Sequence, residues 1–501
     1  MRGLLGQAKV PYAYVDITRD PAAAARVRAI NAGNESVPTL VFPDGSSLNE
    51  PSAGQLKQKL ESLGYRVGLL GLAHRKCLAH CHRRGHRLRC AALSRNYLIL
   101  NWSEPRMQST LALHGGTPVR SKTWPRWPQW DKSERSGLLA VLERGEWGGY
   151  DRAVRDFEAA FATRHAAAHC VTTVNGTTTL ETALRALSVG PGDEVIVPPY
   201  TFVATASAVR MVGATPVFAD VELETWNLSI PAVEAAISER TKAIIPVHFG
   251  GLSADLDALL PLAARHRLAV IEDAAHAHGS SWNGKPVGSQ GTVGSFSFQA
   301  SKNLTAGEGG ALLTNDPILA EKLWSIANCG RRSDGPWYEH PNLGTNLRLS
   351  GWQAAILSAG LARLDEQLQR RMSNARRLHS FLEEIDGLTP QRWDARADAH
   401  AHHIFLMRYD AERFAGLPRE KLIAALRGEG IPASPVYPYP LYQQPPLVEP
   451  HSRITPCPNA ELLCQQTVAL GQNLLLAEPE EMDDVANAIL KVRENVEALK
   501  Q

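Results

Sequence analysis

Short apolar runs recur through most of this chain, separated by longer stretches with helical periodicity. The runs at 194–197, 215–218, 243–247, 268–271 and 293–298 are rich in Val, Ile, Phe and Ala. Runs of this length, bounded by turn residues, predict short buried strands. Their regular alternation with helical segments predicts parallel strands joined by crossover helices, and so an α/β fold. From Ser350 the pattern turns helical, through 363–385. A smaller α+β segment follows, with a Pro/Tyr-rich loop at 432–446 inside it. No internal repeat is visible.

The first part of the chain has a different texture. Residues 1–65 predict a small α/β fragment, with strands at 12–17 and 39–42, a helix at 21–31 and a tight turn at Asp44-Gly45. Residues 66–108 lose all period, and HRKCLAHCHRRGHRLRC at 74–90 is crowded with bases and histidines. The organisation predicted is a fragment at 1–65, a poorly ordered linker at 66–108, a large domain at 109–365 and a small domain at 366–501.

Composition narrows the function classes. At 501 residues, 44% hydrophobic and 21% charged, the chain reads as a globular protein of several domains. A formal net charge of +2 gives no reason to expect nucleic acid or a membrane surface as a partner. No apolar run approaches the roughly 20 residues that span a bilayer. The start, MRGLLGQAKVPYAYVD, has no apolar segment of secretory length. Seven irregularly spaced cysteines behind such a start predict reduced thiols and a cytoplasmic setting.

The candidate chemistry lies in the α/β part. Asp273 falls at the carboxyl end of the 268–271 run, where open α/β sheets place their ligands. Lys302 follows the 293–298 run and precedes the glycine-rich turn Gly307-Glu308-Gly309-Gly310. An amine and a carboxylate so placed suit a pyridoxal phosphate (PLP) site. The amine forms a Schiff base with the cofactor, and the carboxylate keeps the pyridine nitrogen protonated. Upstream, a strand ends at Val174, Asn175-Gly176 turns the chain and a helix opens at Thr177. Helix-start amides, with the hydroxyls of Thr177 and Thr178, make an anion site suited to a phosphate. Each feature alone is ordinary: a surface lysine, a strand-end aspartate, a helix cap. Their combination and order are not.

With these residues in view, 109–501 resembles the DegT/StrS family of fold-type-I, PLP-dependent aminotransferases. The matching segments are Asn175-Gly176-Thr177, Val197-Pro198-Pro199-Tyr200-Thr201-Phe202, Glu272-Asp273-Ala274-Ala275-His276, Phe296-Ser297-Phe298, Ser301-Lys302-Asn303, Gly307-Glu308-Gly309-Gly310, Gly344-Thr345-Asn346-Leu347-Arg348 and Gly430-Ile431-Pro432. The resemblance implies a large domain with a mostly parallel seven-stranded sheet and a small α+β carboxyl-terminal domain. It implies that Lys302 carries the cofactor and shuttles its proton, that Asp273 pairs with the pyridinium, and that Phe202 stacks on the ring. Gly176, Thr177, Thr178 and Ser297 would hold the phosphate, and His276 would lie near the phenolic oxygen. Asn346 would reach the phosphate of a neighbouring subunit, which implies a homodimer with shared sites. The implied reaction moves an amino group from glutamine or glutamate to a keto sugar or keto cyclitol. Segments 115–120, 127–130, 248–255, 273–279 and 304–310 resemble two branches, the glutamine:scyllo-inosose aminotransferases and 3-amino-5-hydroxybenzoate synthase.

Other chemistries are weaker. Family members that dehydrate keto sugars replace the lysine with histidine, and Lys302 is intact. Residues 1–65 resemble the carboxyl-terminal part of a glutaredoxin, with Val37-Pro38-Thr39 as its proline loop. No cysteine precedes Cys77, so the thiol motif of an oxidoreductase is missing. Cys77, His80, Cys81, His82, His86 and Cys90 fit no zinc-module spacing, and no metal site is expected. A chain beginning at Met107 is therefore expected to express, bind PLP and transaminate like the full chain. Steady-state kinetics of the two decide it, and a changed KM for the keto substrate in the shorter chain would give the first 106 residues a role at the site.

Overall fold

The computed structural model describes residues 110–500 and, before them, the backbone of four short strands. These are β1 (Ala13–Val15), β2 (Thr39–Val41), β3 (Ser47–Asn49) and β4 (Tyr97–Ile99). They form one sheet in the order β1-β4-β2-β3. β4 falls in the segment read as a linker, runs antiparallel to β1 and parallel to β2. The Cys/His segment at 74–90 and the helix expected at 21–31 lie outside the described residues.

Residues 110–501 make up a separate compact unit. Its main sheet has strands β5 (His169–Thr173), β6 (Glu194–Val197), β7 (Thr215–Phe218), β8 (Thr241–Ile244) and β9 (Ala269–Asp273). A hairpin of β10 (Ser281–Trp282) and β11 (Lys285–Pro286) leads to β12 (Val293–Ser297) and β13 (Gly310–Thr314). The smaller strands β14 (Leu388–Pro390), β15 (Ile404–Tyr409), β16 (Arg453–Ile454) and β17 (Thr467–Gly471) follow. The main sheet is ordered β16-β7-β6-β8-β9-β12-β13-β5, and every pair is parallel except the two that β13 makes. Seven strands come from the segment read as the large domain. The sheet nonetheless has eight, because β16 from the carboxyl-terminal part adds itself to the β7 edge. Arg453 holds it there by donating to Glu194 Oε2 at 2.9 Å. The expected strand at 243–247 ends early, at Ile244, since Pro246 has no amide to give the ladder.

Successive residues of these strands enter different cores. Ile196, Val217, Ile244 and Val270 pack with Leu259 and Leu262 on one face. Their neighbours Val195, Val197, Phe218, Ala243 and Ile271 pack with Leu180 and Leu184 on the other. Side chains alternate across a strand, so a sheet covered on both faces needs apolar residues at every position. That is why the sequence shows runs and not alternation. The helix Gly351–Leu382 opens with a capping box between Ser350 and Gln353. Ala354 and Leu357 join the core around β12 and β13, while Ala375, Leu378 and Leu382 join a second core with β15 and β17. One helix thus serves both cores, and the boundary expected at 365/366 falls inside it.

The small β14-β15-β17 sheet and the last helices are tied to the start of this unit by one buried carboxylate. Glu429 accepts from the amides of Ala112 at 2.8 Å and Val119 at 2.9 Å, and from Lys491 Nζ at 2.8 Å. Lys491 also donates to Thr117 O at 2.7 Å. Removing one partner of a buried, hydrogen-bonded ion pair leaves a stranded charge and costs about 3–5 kcal/mol. Glu429→Ala is expected to lower the melting temperature by about 5 °C or more, and Glu429→Gln by less, because the amide oxygen still accepts. Thermal melts test this, and an unshifted Glu429→Ala would show that the network does not hold the termini together.

Candidate active site

Two antiparallel steps, β12 to β13 and β13 to β5, return β5 to the direction of β12. The carboxyl ends of β5, β6, β9 and β12 therefore share one edge. Four of the segments singled out in the sequence begin there: Asn175-Gly176, Pro198–Phe202, Asp273–His276 and Ser297–Lys302.

Asp273 is only 6% exposed. Its Oδ2 accepts from Thr205 Oγ1 at 2.9 Å, and its Oδ1 from the Ala275 amide at 3.3 Å. Burial lifts its carboxyl above the usual range, against these donors and the nearby charge of Lys302. Lys302 is shifted the opposite way, down to about 8, because burial disfavours the ammonium and Asp273 only partly offsets it. Both charged forms are disfavoured by the same dry surroundings. A basic amine near neutrality is a usable nucleophile and proton carrier.

The helix Gly176–Ala186 starts directly after β5. Asn175 Oδ1 accepts the Thr178 amide at 2.9 Å, and the Thr178 hydroxyl returns to Asn175 O at 2.9 Å. The cap thus engages Thr178, while the amides of Gly176 and Thr177 begin the helix, where no intrahelical acceptor exists. A Cβ on Gly176 would lie 2.6 Å from Ser297 Cβ. Only glycine allows this helix start to sit directly on the end of β12, beside Ser297. The result is a small anion cradle at the positive end of a helix.

Phe202 stands 58% exposed on the same edge. His276 is buried, its ring 5.5 Å from Phe249 and 4.4 Å from His403. None of these contacts includes Asn346, which is exposed and accepts from the Arg348 amide at 3.4 Å. Of three further site neighbours, Thr205 lies outside the segments singled out in the sequence, while Asn303 belongs to Ser301-Lys302-Asn303 and Tyr437 to the Pro/Tyr-rich loop. Thr205 is one helical turn from Thr201, with the two hydroxyls 3.2 Å apart. Tyr437, from the Pro/Tyr-rich loop, lies 5.3 Å ring to ring from Tyr200. Asn303 meets His403 across 3.2 Å.

The description "DegT/DnrJ/EryC1/StrS aminotransferase family" matches residues 128–490. The chain belongs to that family. It is 40% identical over 416 residues to the L-glutamine:2-deoxy-scyllo-inosose aminotransferase of Streptomyces fradiae, covering 77% of this chain and 98% of the relative. It is also 40% identical over 381 residues to the 3-amino-5-hydroxybenzoate synthase of Amycolatopsis mediterranei, covering 73% and 95%. A crystal structure of a 3-amino-5-hydroxybenzoic acid synthase superposes with a TM-score of 0.70 at 39% identity, over 74% of this chain and 98% of that one. The fold is fold type I, and the chain is a PLP-dependent aminotransferase of the DegT/StrS family. A buried acid lacking a full cation partner, an amine near neutrality and a helix-start cradle on one sheet edge fit that cofactor.

The depressed basicity of Lys302 has a measurable sign. In cofactor-free protein its amine is charged below pH 8 or so and free above it, whereas an ordinary lysine stays charged to about 10.5. Borohydride trapping of PLP on Lys302 is expected to reach its half-maximal rate near pH 8, with surface lysines still rising at pH 10. Peptide mapping across pH reads this out. A Lys302 profile that follows the other lysines would contradict the burial argument.

Proposed function

We propose that this enzyme transfers the amino group of L-glutamine to the ketone of a cyclitol of the scyllo-inosose type. The observation that carries the reading is the 40% identity, over 98% of its length, to an aminotransferase named for that donor and that ring. A second relative with the same pairing in its name, the L-glutamine:scyllo-inosose aminotransferase of Streptomyces griseus, is 39% identical over 422 residues.

The bound cofactor supplies an electron sink for the amino-acid α-carbon. Every other task falls to side chains. Lys302 would be the covalent carrier and the base that takes and returns the proton at the amino-acid α-carbon. Asp273 keeps the ring nitrogen protonated and is itself held in orientation by Thr205. Gly176, Thr177, Thr178 and Ser297 would hold the phosphate, Phe202 would stack on the ring and His276 would serve its phenolic oxygen. Asn346 of the partner subunit completes the phosphate site in a homodimer. A second reading, a PLP enzyme that forms an aminohydroxybenzoate, is favoured by the similarity to 3-amino-5-hydroxybenzoate synthase in sequence and in structure.

One set of assays separates these readings. Adding L-glutamine to the purified protein should shift its near-visible absorbance. Turnover should follow with scyllo-inosose or a deoxy relative, and kcat/KM for nucleotide-linked keto sugars should be at least ~100-fold lower, about 3 kcal/mol of discrimination. Preference for a nucleotide-linked sugar would overturn the cyclitol assignment. Formation of an aminohydroxybenzoate would establish the second reading instead.

A further inference from the structure

Behind Lys302 lies a group of buried histidines that the reaction above leaves mostly unused. Two of them, His276 and His403, are the ones nearest the site. His403 is buried on the segment leading into β15. Its ring lies against that of His276, with centroids 4.4 Å apart and planes inclined by 35°. Its Nδ1 is 3.2 Å from Oδ1 of Asn303, the residue next to Lys302. The Asn303 amide is fixed, because its Nδ2 donates to Ala401 O at 2.7 Å and a carbonyl can only accept. Oδ1 is thus the atom facing His403, and His403 Nδ1 must carry the hydrogen.

His276 is constrained from two sides. Phe249 meets its ring at 60° and His403 covers it at 35°. Its Nδ1 is sealed from solvent and has no partner among the described residues. Its Nε2 has no partner either but is not sealed off, so it is the nitrogen a ligand can reach. Burial above all keeps both rings neutral, helped at His276 by the charge of Lys302 and at His403 by His276 and then Lys302. A neutral imidazole has one hydrogen to place. A buried N–H without an acceptor is costlier than a buried lone pair without a donor. The hydrogen therefore belongs on Nε2.

We propose that His403, anchored by Asn303, is a positioning residue that fixes the plane of His276, so that His276, whose sealed Nδ1 leaves the hydrogen on Nε2, offers an Nε2–H donor to an oxygen bound beside Lys302. The inference rests on the reading of the Lys302 edge as the cofactor site, and it assigns His276 a donor role there. Asn303, a neighbour of the catalytic lysine in sequence, thereby reaches the site a second time through β15. The arrangement links the small domain to the cofactor edge through the Asn303 side chain, which meets both the His403 ring and the Ala401 carbonyl.

The test uses full-length cofactor-free protein labelled with nitrogen-15 in histidine, with His276→Asn to assign the signal. At pH 7, His276 is expected to be neutral and protonated on Nε2. His403→Phe, which keeps a ring but cannot donate to Asn303, and Asn303→Ala should each let the His276 ring turn out of its plane, shift its Nε2–H signal and raise the Kd for PLP about tenfold. His403→Gln keeps a donor toward Asn303 and should restore both. Borohydride labelling of Lys302 in the same samples reports separately on the cofactor assignment. An Nδ1–H tautomer in the unmodified protein, or an unchanged Nε2–H signal and PLP affinity in both disruptive variants, would overturn the proposal.

Discussion

Two acidic residues side by side at the end of one buried strand organise this enzyme's site. Glu272 and Asp273 are neighbours on β9, so they point to opposite faces of the sheet. Glu272 accepts from His248 at 3.0 Å and from the amides of Gly288, Gln290 and Gly291 at 2.7, 2.8 and 2.6 Å. Burial alone would push its carboxyl up, but these donors outweigh that and hold it below its usual range. It is a fully satisfied structural anion that fixes the loop between β11 and β12. Asp273 has only a threonine hydroxyl and one long amide bond, and its carboxyl is pushed up. One carboxylate is saturated and the other held in reserve, and the difference is in the donors each face provides. A reserve of this kind is what a cationic ring nitrogen requires.

Much of the fold was legible because both faces of the sheet are covered. Strands at 194–197 and 215–218 follow directly from continuous apolar runs, and the Asn175 cap and the helix behind it follow from local chemistry. What escaped the sequence are features set by distant pairing. β16 has two residues and no apolar run, and Arg453 secures it to a glutamate 259 positions away. The end of β8 depends on Pro246, inside an apolar stretch that otherwise continues.

The site divides in the same way. Asp273, Lys302, Gly176 and Ser297 stand at strand ends or turns, where position along the chain reveals them. Thr205, Asn303, His403 and Tyr437 have ordinary residue types in ordinary contexts, and their roles arise from contacts across the fold. Thr205 is 68 positions from the carboxylate it orients, and Asn303 is 100 from the histidine it faces. No local pattern encodes such a meeting. The segments that carry the family resemblance include Asn303, but they end at Phe202, three residues before Thr205, and do not reach His403.

The balance of charge at this edge also bears on stability. In the cofactor-free protein an amine and a carboxyl are each buried against their preference, and His276 Nδ1 lacks a partner among the described residues. Each such group lowers the stability of the fold. A cofactor that bonded the amine, placed a cation on the carboxylate and filled the helix-start cradle, as proposed above, would remove several of these penalties together. A ligand that binds only the folded state stabilises it by mass action. The same burial that tunes Lys302 and Asp273 for chemistry therefore couples folding to cofactor binding.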